Sequence, residues 1–225
     1  ELARIAHALR RTGFLAHPGA AEEWYERGGA RGVIEAALDD DGPAIPDLDI
    51  GPDWEDSQRA LGWILERFRS RDASLTDRMS WFWHDHFAVS MQVVRHLPAM
   101  LAHLDLCWSL GRGDVRALIR QVTTDAAMLV FLDGATSKGT APNENFGREL
   151  LELYTVGVGN FTEADVKAAA AALTGWVVRR RDGWKVRFVP ARHDDTPQTL
   201  LGVDGVHDAD TTIAAATSSP ACPVF

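Results

Sequence analysis

Apolar residues recur every three or four positions along most of the chain, which is the signature of amphipathic or buried helix. The pattern predicts helices near 2–11, 20–28, 30–39, 57–70, 75–91, 97–109, 114–131, 144–156, 163–175 and 209–217. Two stretches break it and read as loops: Asp40 to Asp56, with Pro43, Pro46 and Pro52, and Asp133 to Pro142, with Gly134 and Gly139. One segment changes period. Trp176, Val178 and Arg180 alternate before Asp182-Gly183, and Trp184, Val186 and Phe188 alternate after it, which predicts a small β-hairpin near 176–189 about a two-residue turn. The hairpin delivers the chain to His193-Asp194 on a ribbon rather than a floppy loop. Ser74 with Asp77 and Thr162 with Asp165 have the spacing of capping boxes. With no repeat or linker, residues 1–225 read as one mainly α, multi-helix domain.

Composition supports a folded core and narrows the partners. The 225 residues are 46% hydrophobic, ample for a sizeable core. A net charge of −9 disfavours binding to nucleic acid, which needs a basic surface. Cys107 and Cys222 are too few for a disulfide framework, and no apolar run reaches the ~20 residues of a membrane span. Glu1 to Arg10 lack a signal peptide's apolar centre, and a chain opening on Glu is expected to have lost its native start. The Gly134 to Thr140 run has its lysine in the wrong place for a phosphate loop. The acidic residues Asp47, Asp49 and Asp53 lack the glycine and final glutamate of a calcium-hand loop.

Two constellations carry candidate chemistry. Trp81 to Phe87 is the densest cluster of aromatic and imidazole side chains, with His84 and His86 two apart. At ~100° per residue those histidines point ~200° from each other, so one metal takes both only where the helix ends or distorts. The second is Asn143 to Tyr154. Its helical wheel gathers Glu144, Asn145, Arg148, Glu149 and Glu152 on one face, opposite Phe146, Leu150, Leu151, Leu153 and Tyr154. A Glu144–Arg148 pair on a solvated face explains this pattern. So does a metal-carboxylate helix presenting Glu149 and Glu152 together. A nucleophilic hydrolase is disfavoured: Ser80, Ser90 and Ser109 lie in helical patterns, no Gly-x-Ser-x-Gly elbow occurs, and Cys107 reads as a small buried hydrophobe.

Read together, Phe82-Trp-His-Asp-His-Phe87, Asp125 to Asp133, Asn143 to Gly157, Phe161 to Val166, Ala172 to Trp176, His193-Asp194 and Thr199 to Gly202 resemble the bacterial domain-of-unknown-function family 1800. The resemblance covers almost the whole chain. It implies a bacterial, often exported protein, hence a periplasmic or extracellular location, and a sulfatase-like partner protein. Family members continue beyond the segment matched by Ser219 to Phe225, so the chain is expected to be the N-terminal part of a longer domain, with Val224 and Phe225 packed against its later helices.

Two functions compete. In the first, a metal-dependent, hydrolase-like enzyme, His84, His86, Glu149, Glu152, His193 and Asp194 are the metal ligands. Glu149 and Glu152 also relay protons, and Arg148 holds an anionic substrate group. Nitrogen and oxygen ligands without thiolate suit a divalent ion, Zn, Mn, Fe or Mg. In the second, a non-catalytic binding or assembly domain, the same histidines satisfy buried hydrogen bonds and His193-Asp194 pin the hairpin to the helices. The eight tryptophans then serve the core or stack on carbohydrate.

Overall fold

The structure, a computed structural model, describes residues 1–14, 16–40, 54–70 and 74–222. Pro43, Pro46, Pro52, the acidic residues Asp47, Asp49 and Asp53, and the terminal Val224 and Phe225 lie outside the described residues. The fold is mainly α with small antiparallel hairpins. The chain divides into two compact units, Glu1–Asp85 with Cys107–Arg112, and His86–Leu106 with Gly113–Phe225.

The first unit holds α1 (Leu2–Thr12), α2 (Ala20–Glu26), α3 (Gly29–Asp39), α4 (Trp54–Arg69) and all but the last residue of α5 (Leu75–His86). Ile5 and Ala8, three apart on α1, form a core with Val33 of α3, flanked by Leu9, Trp24 and Ala30. The end of α4 is tied to the start of α5 by charge. Ser74 and Asp77 form the expected reciprocal cap, and the fully buried Asp77 carboxylate receives Arg67 through two nitrogens at 2.9 and 2.6 Å. A buried carboxylate is tolerable because the guanidinium fork and the cap fill its lone pairs together.

Two expected helices are each broken in two. The 75–91 helix stops at His86 and resumes as α6 (Met91–Val94), where the Ser90 hydroxyl caps by accepting from Gln92 N–H at 3.2 Å. The 114–131 helix becomes α8 (Val115–Thr123) and α9 (Ala126–Phe131), because Asp125 caps α9 by accepting from Met128 N–H at 3.0 Å. Both breaks meet at one side chain. His103, fully buried in α7 (Leu97–Leu110), lies 3.0 Å from the Phe87 carbonyl through Nε2 and 3.0 Å from the Asp125 carboxylate through Nδ1. A carbonyl only accepts, so Nε2 carries a proton. Two helix breaks that leave backbone groups without helical partners are thus stitched by one imidazole.

The hairpin forms where expected but with a longer turn. β1 (Trp176–Arg179) and β2 (Lys185–Phe188) pair Trp176 with Phe188 and Arg179 with Lys185, leaving residues 180–184 as the connection instead of Asp182-Gly183 alone. Asp182 and Trp184 N–H both donate to the Arg179 carbonyl. Trp184, at φ 59°, leaves the strand to stack on His96 at 4.2 Å and 9°, against the Val94, Ala99 and Ala127 cluster. Burial of that ring outweighs continued alternation. The second hairpin, β3 (Gln198–Leu200) with β4 (Val203–Gly205), escapes the sequence pattern. Its turn, Leu201-Gly202, has φ of 50° and 81°, the mirror-image type usually marked by Asn-Gly.

Two stability measurements bear on these contacts. His103→Ala, leaving the Phe87 carbonyl and Asp125 without their buried partner, is expected to destabilise by about 3 kcal/mol in denaturant titration. His96 accepts from Ala99 N–H at 3.2 Å through Nδ1, and burial holds its pKa below the ordinary 6.5. A histidine depressed in the folded state costs stability as pH falls below its unfolded value. Chemical denaturation of the parent chain is therefore expected to weaken between about pH 7.5 and 5.5 by more than that of His96→Phe, which keeps the stack and cannot take a proton.

Candidate functional site

The acidic face predicted from the Asn143–Tyr154 pattern forms, but the helix stops at Glu152 and Leu153, expected on the apolar face, is exposed. Asn143 caps α10 (Glu144–Glu152) by accepting from Asn145 N–H at 2.9 Å, and Phe146, Leu150 and Leu151 are buried. They pack α10 against α11 (Glu163–Ala172), which opens on the Thr162–Asp165 capping box. Asp165 does more than cap, since its other oxygen accepts from Leu201 N–H at 2.6 Å and anchors the second hairpin. The approach of the two helices is close. A Cβ on Gly147 would lie 2.8 Å from the Ala170 nitrogen, so glycine is required there, and alanine-rich α11 supplies the matching flat surface.

This packing sets the partner of Arg148. Its guanidinium holds Glu163 of α11 through two bonds of 2.9 and 2.7 Å, and keeps the expected ion pair with Glu144 at a longer 3.8 Å. A helical wheel of one element carries no information about the neighbour. Glu149 and Glu152 remain on the half-buried edge of α10. Burial, and then the Glu152 charge, push the Glu149 carboxyl above the ordinary glutamate value, against the pull of Arg148. Tyr154 is 5% exposed, its hydroxyl 3.9 Å from the Met128 sulfur. Burial and then the Glu149 charge push Tyr154 up to about 12. The His86 ring packs edge-on to Tyr154, with centroids 5.9 Å apart. Tyr154 is thus the common neighbour of Glu149 and His86.

His84 belongs to the first unit, where its ring sits 5.4 Å from Trp81. His86 is the last residue of α5, so both histidines lie within its helical span.

His193 and Asp194 follow a short 3-10 turn, Pro190–Arg192, and their polar atoms serve the backbone. The Thr174 hydroxyl donates to the Ala171 carbonyl at 2.6 Å and accepts from Asp194 N–H at 2.8 Å. His193 Nδ1 lies 3.3 Å from that hydroxyl oxygen and 3.2 Å from the Thr174 carbonyl, so Nδ1 is the protonated nitrogen. The Asp194 carboxylate accepts from the backbone and hydroxyl of Thr196, and those bonds hold its pKa down. Arg192 completes the attachment, its carbonyl accepting from Gly139 N–H at 2.7 Å and its guanidinium donating to the Thr136 carbonyl at 3.1 Å.

The expected ligands therefore fall into local groups: Glu149 and Glu152 on α10, with His86 reached through Tyr154, and His193 with Asp194 at the end of α11. Among the described residues, no three His, Cys, Asp or Glu side chains come together in a group able to hold a metal ion. Sequence reasoning passed over His103 and took Asp125 only as part of a family segment, although a lone histidine in the middle of an apolar helix signals a buried polar contact. It placed Tyr154 on the apolar face without a role.

No helix among the described residues is long and apolar enough to cross a membrane. No curated protein and no solved structure matches the chain. The family described as "Protein of unknown function (DUF1800)" matches residues 7–225, carrying the α5 aromatic segment, α10, α11 and the hairpins in one alignment. The chain belongs to that family over essentially its whole length.

Proposed function

We propose that the α10 edge is the working site of a hydrolase-like enzyme, with Glu149 as its proton carrier. The observation that carries this reading is the placing of Glu149: a half-buried carboxyl raised by desolvation and by a like charge three residues on, with its backbone carbonyl accepting from Tyr154 N–H at 3.2 Å. A carboxyl raised toward neutrality gives and takes protons more readily at working pH than an ordinary one. Glu152 keeps the nearby charge that raises it. Tyr154, with its proton firmly held, acts as a hydrogen-bond donor rather than a base. Arg148 suits an anionic substrate group, because its two-pronged pair with Glu163 is solvent-exposed, and such pairs contribute little stability and exchange readily.

The residues do not fit an all-protein metal cage. His193 and Asp194 are engaged in backbone contacts, and among the described residues no third ligand joins Glu149 and Glu152. A divalent ion enters this reading only as a water-rich contact on the two carboxylates, and no step is derived through it. The binding or assembly alternative draws support from the same engagement of His193 and Asp194, which matches the pinning role that reading gives them.

A panel of nitrophenyl esters, glycosides, phosphates and sulfates, assayed with and without Mg, Mn and Zn, tests the enzyme reading. Turnover on one class, reduced about 100-fold or more in Glu149→Gln, is expected. Turnover unchanged by the substitution overturns the role of Glu149, and no turnover on any class favours the binding domain.

Stability supplies a second check. A carboxyl whose folded pKa is raised costs stability once it ionises, so the cost is present above that pKa and vanishes below the unfolded value. Glu149→Gln is therefore expected to raise Tm at about pH 7 and to leave it unchanged near about pH 4.

A further inference from the structure

The first unit contains a cleft of about 480 Å³ between α1 and α5, and none of the candidate metal ligands lines it. Its wall includes three aromatic rings, Phe14, Trp81 and Phe82, with Arg11, Arg78 and Asp85 among them. From this lining we propose that the cleft binds an acidic saccharide unit, a hydroxylated ring bearing one carboxylate. The inference is independent of the Glu149 reading.

Exposure of the rings is the first argument. Trp81 and Phe82 are 44% and 47% exposed, although both are large apolar side chains with a packed helix beneath them. Adjacent exposed aromatics at the edge of a cleft are the arrangement that a ligand face covers.

Rigidity is the second. Trp81 is braced edge-on by Phe68 at 5.2 Å, Phe14 rests on Phe68 at 4.3 Å, and Phe68 stacks on the buried Trp108 at 6.4 Å and 9°. Arg78 donates to the Gly13 carbonyl at 2.9 Å and sits 5.8 Å over the Phe14 ring. The floor and one of the two cations are therefore held in place before any ligand arrives, which reduces the ordering cost of binding.

Charge and chemistry select the ligand. Two guanidiniums against one carboxylate make the cleft locally cationic on a chain whose net charge is −9. A small anion is favoured there over a cation. Arginine matches a carboxylate with paired donors, the Asp85 carboxylate accepts from hydroxyl groups, and the flat aromatic faces stack on a ring. A sugar acid satisfies all three requirements. Benzoate lacks the hydroxyls and glucose lacks the anion.

Ligand-observed saturation-transfer NMR with sodium glucuronate, glucose and benzoate tests the assignment. Glucuronate is expected to bind saturably, with glucose and benzoate each about tenfold weaker or more. Trp81→Ala and Arg11→Ala are each expected to weaken glucuronate about tenfold or more. Arg11 is exposed on α1, so its variant keeps the test valid even where loss of Trp81 disturbs the unit. Three results overturn the proposal: no saturable glucuronate signal up to ~50 mM, unchanged affinity in folded Arg11→Ala, or benzoate or glucose binding as tightly as glucuronate.

Discussion

The second unit depends on one buried imidazole. His103 sits at the junction of two interrupted helices and meets a carbonyl on one side and a carboxylate on the other. Helix ends are expensive to bury because their backbone groups lose water without gaining helical partners. Placing a two-ended polar side chain between a helix C-terminus and a capping aspartate answers both costs at one point. His86 is the last residue of α5, and its ring packs edge-on to Tyr154.

The α10 edge shows how packing converts an ordinary amphipathic helix into a site with altered chemistry. On an isolated helix, Glu144, Arg148 and Glu152 would be a solvated charge ladder of small consequence. Docking α11 at glycine-to-backbone distance moves Arg148 to a cross-helix partner and leaves Glu149 and Glu152 as neighbours with less water around them. Desolvation and like-charge repulsion then act in the same direction on Glu149. Such tension opposes stability, and it is the feature on which the proposed role of Glu149 rests.

Much of this was legible in the sequence. Helical periodicity located the helices, Asp-Gly between alternating runs located the first hairpin, and the Ser74–Asp77 and Thr162–Asp165 boxes located two helix starts to the residue. What escaped was set by contacts between elements. The breaks at Phe87 and at Asp125 are bridged by His103, 16 and 22 residues along the chain. The five-residue turn depends on burial of Trp184 against His96. The second hairpin turns on Leu201-Gly202, whose backbone angles its residue types do not advertise. Site legibility divides in the same way: the acidic face of α10 was visible from one helix alone. The engagement of His193 with Thr174, of Asp194 with Thr196 and of Arg148 with Glu163 required the neighbouring backbone.

Everything proposed for α10 requires Glu149 to be a perturbed carboxyl, and a carbon-detected NMR titration of its side-chain carboxyl measures that directly. The expected midpoint lies above the ordinary 4.5 and moves back toward it in Glu152→Gln. A midpoint at or below 4.5, indifferent to Glu152, contradicts it.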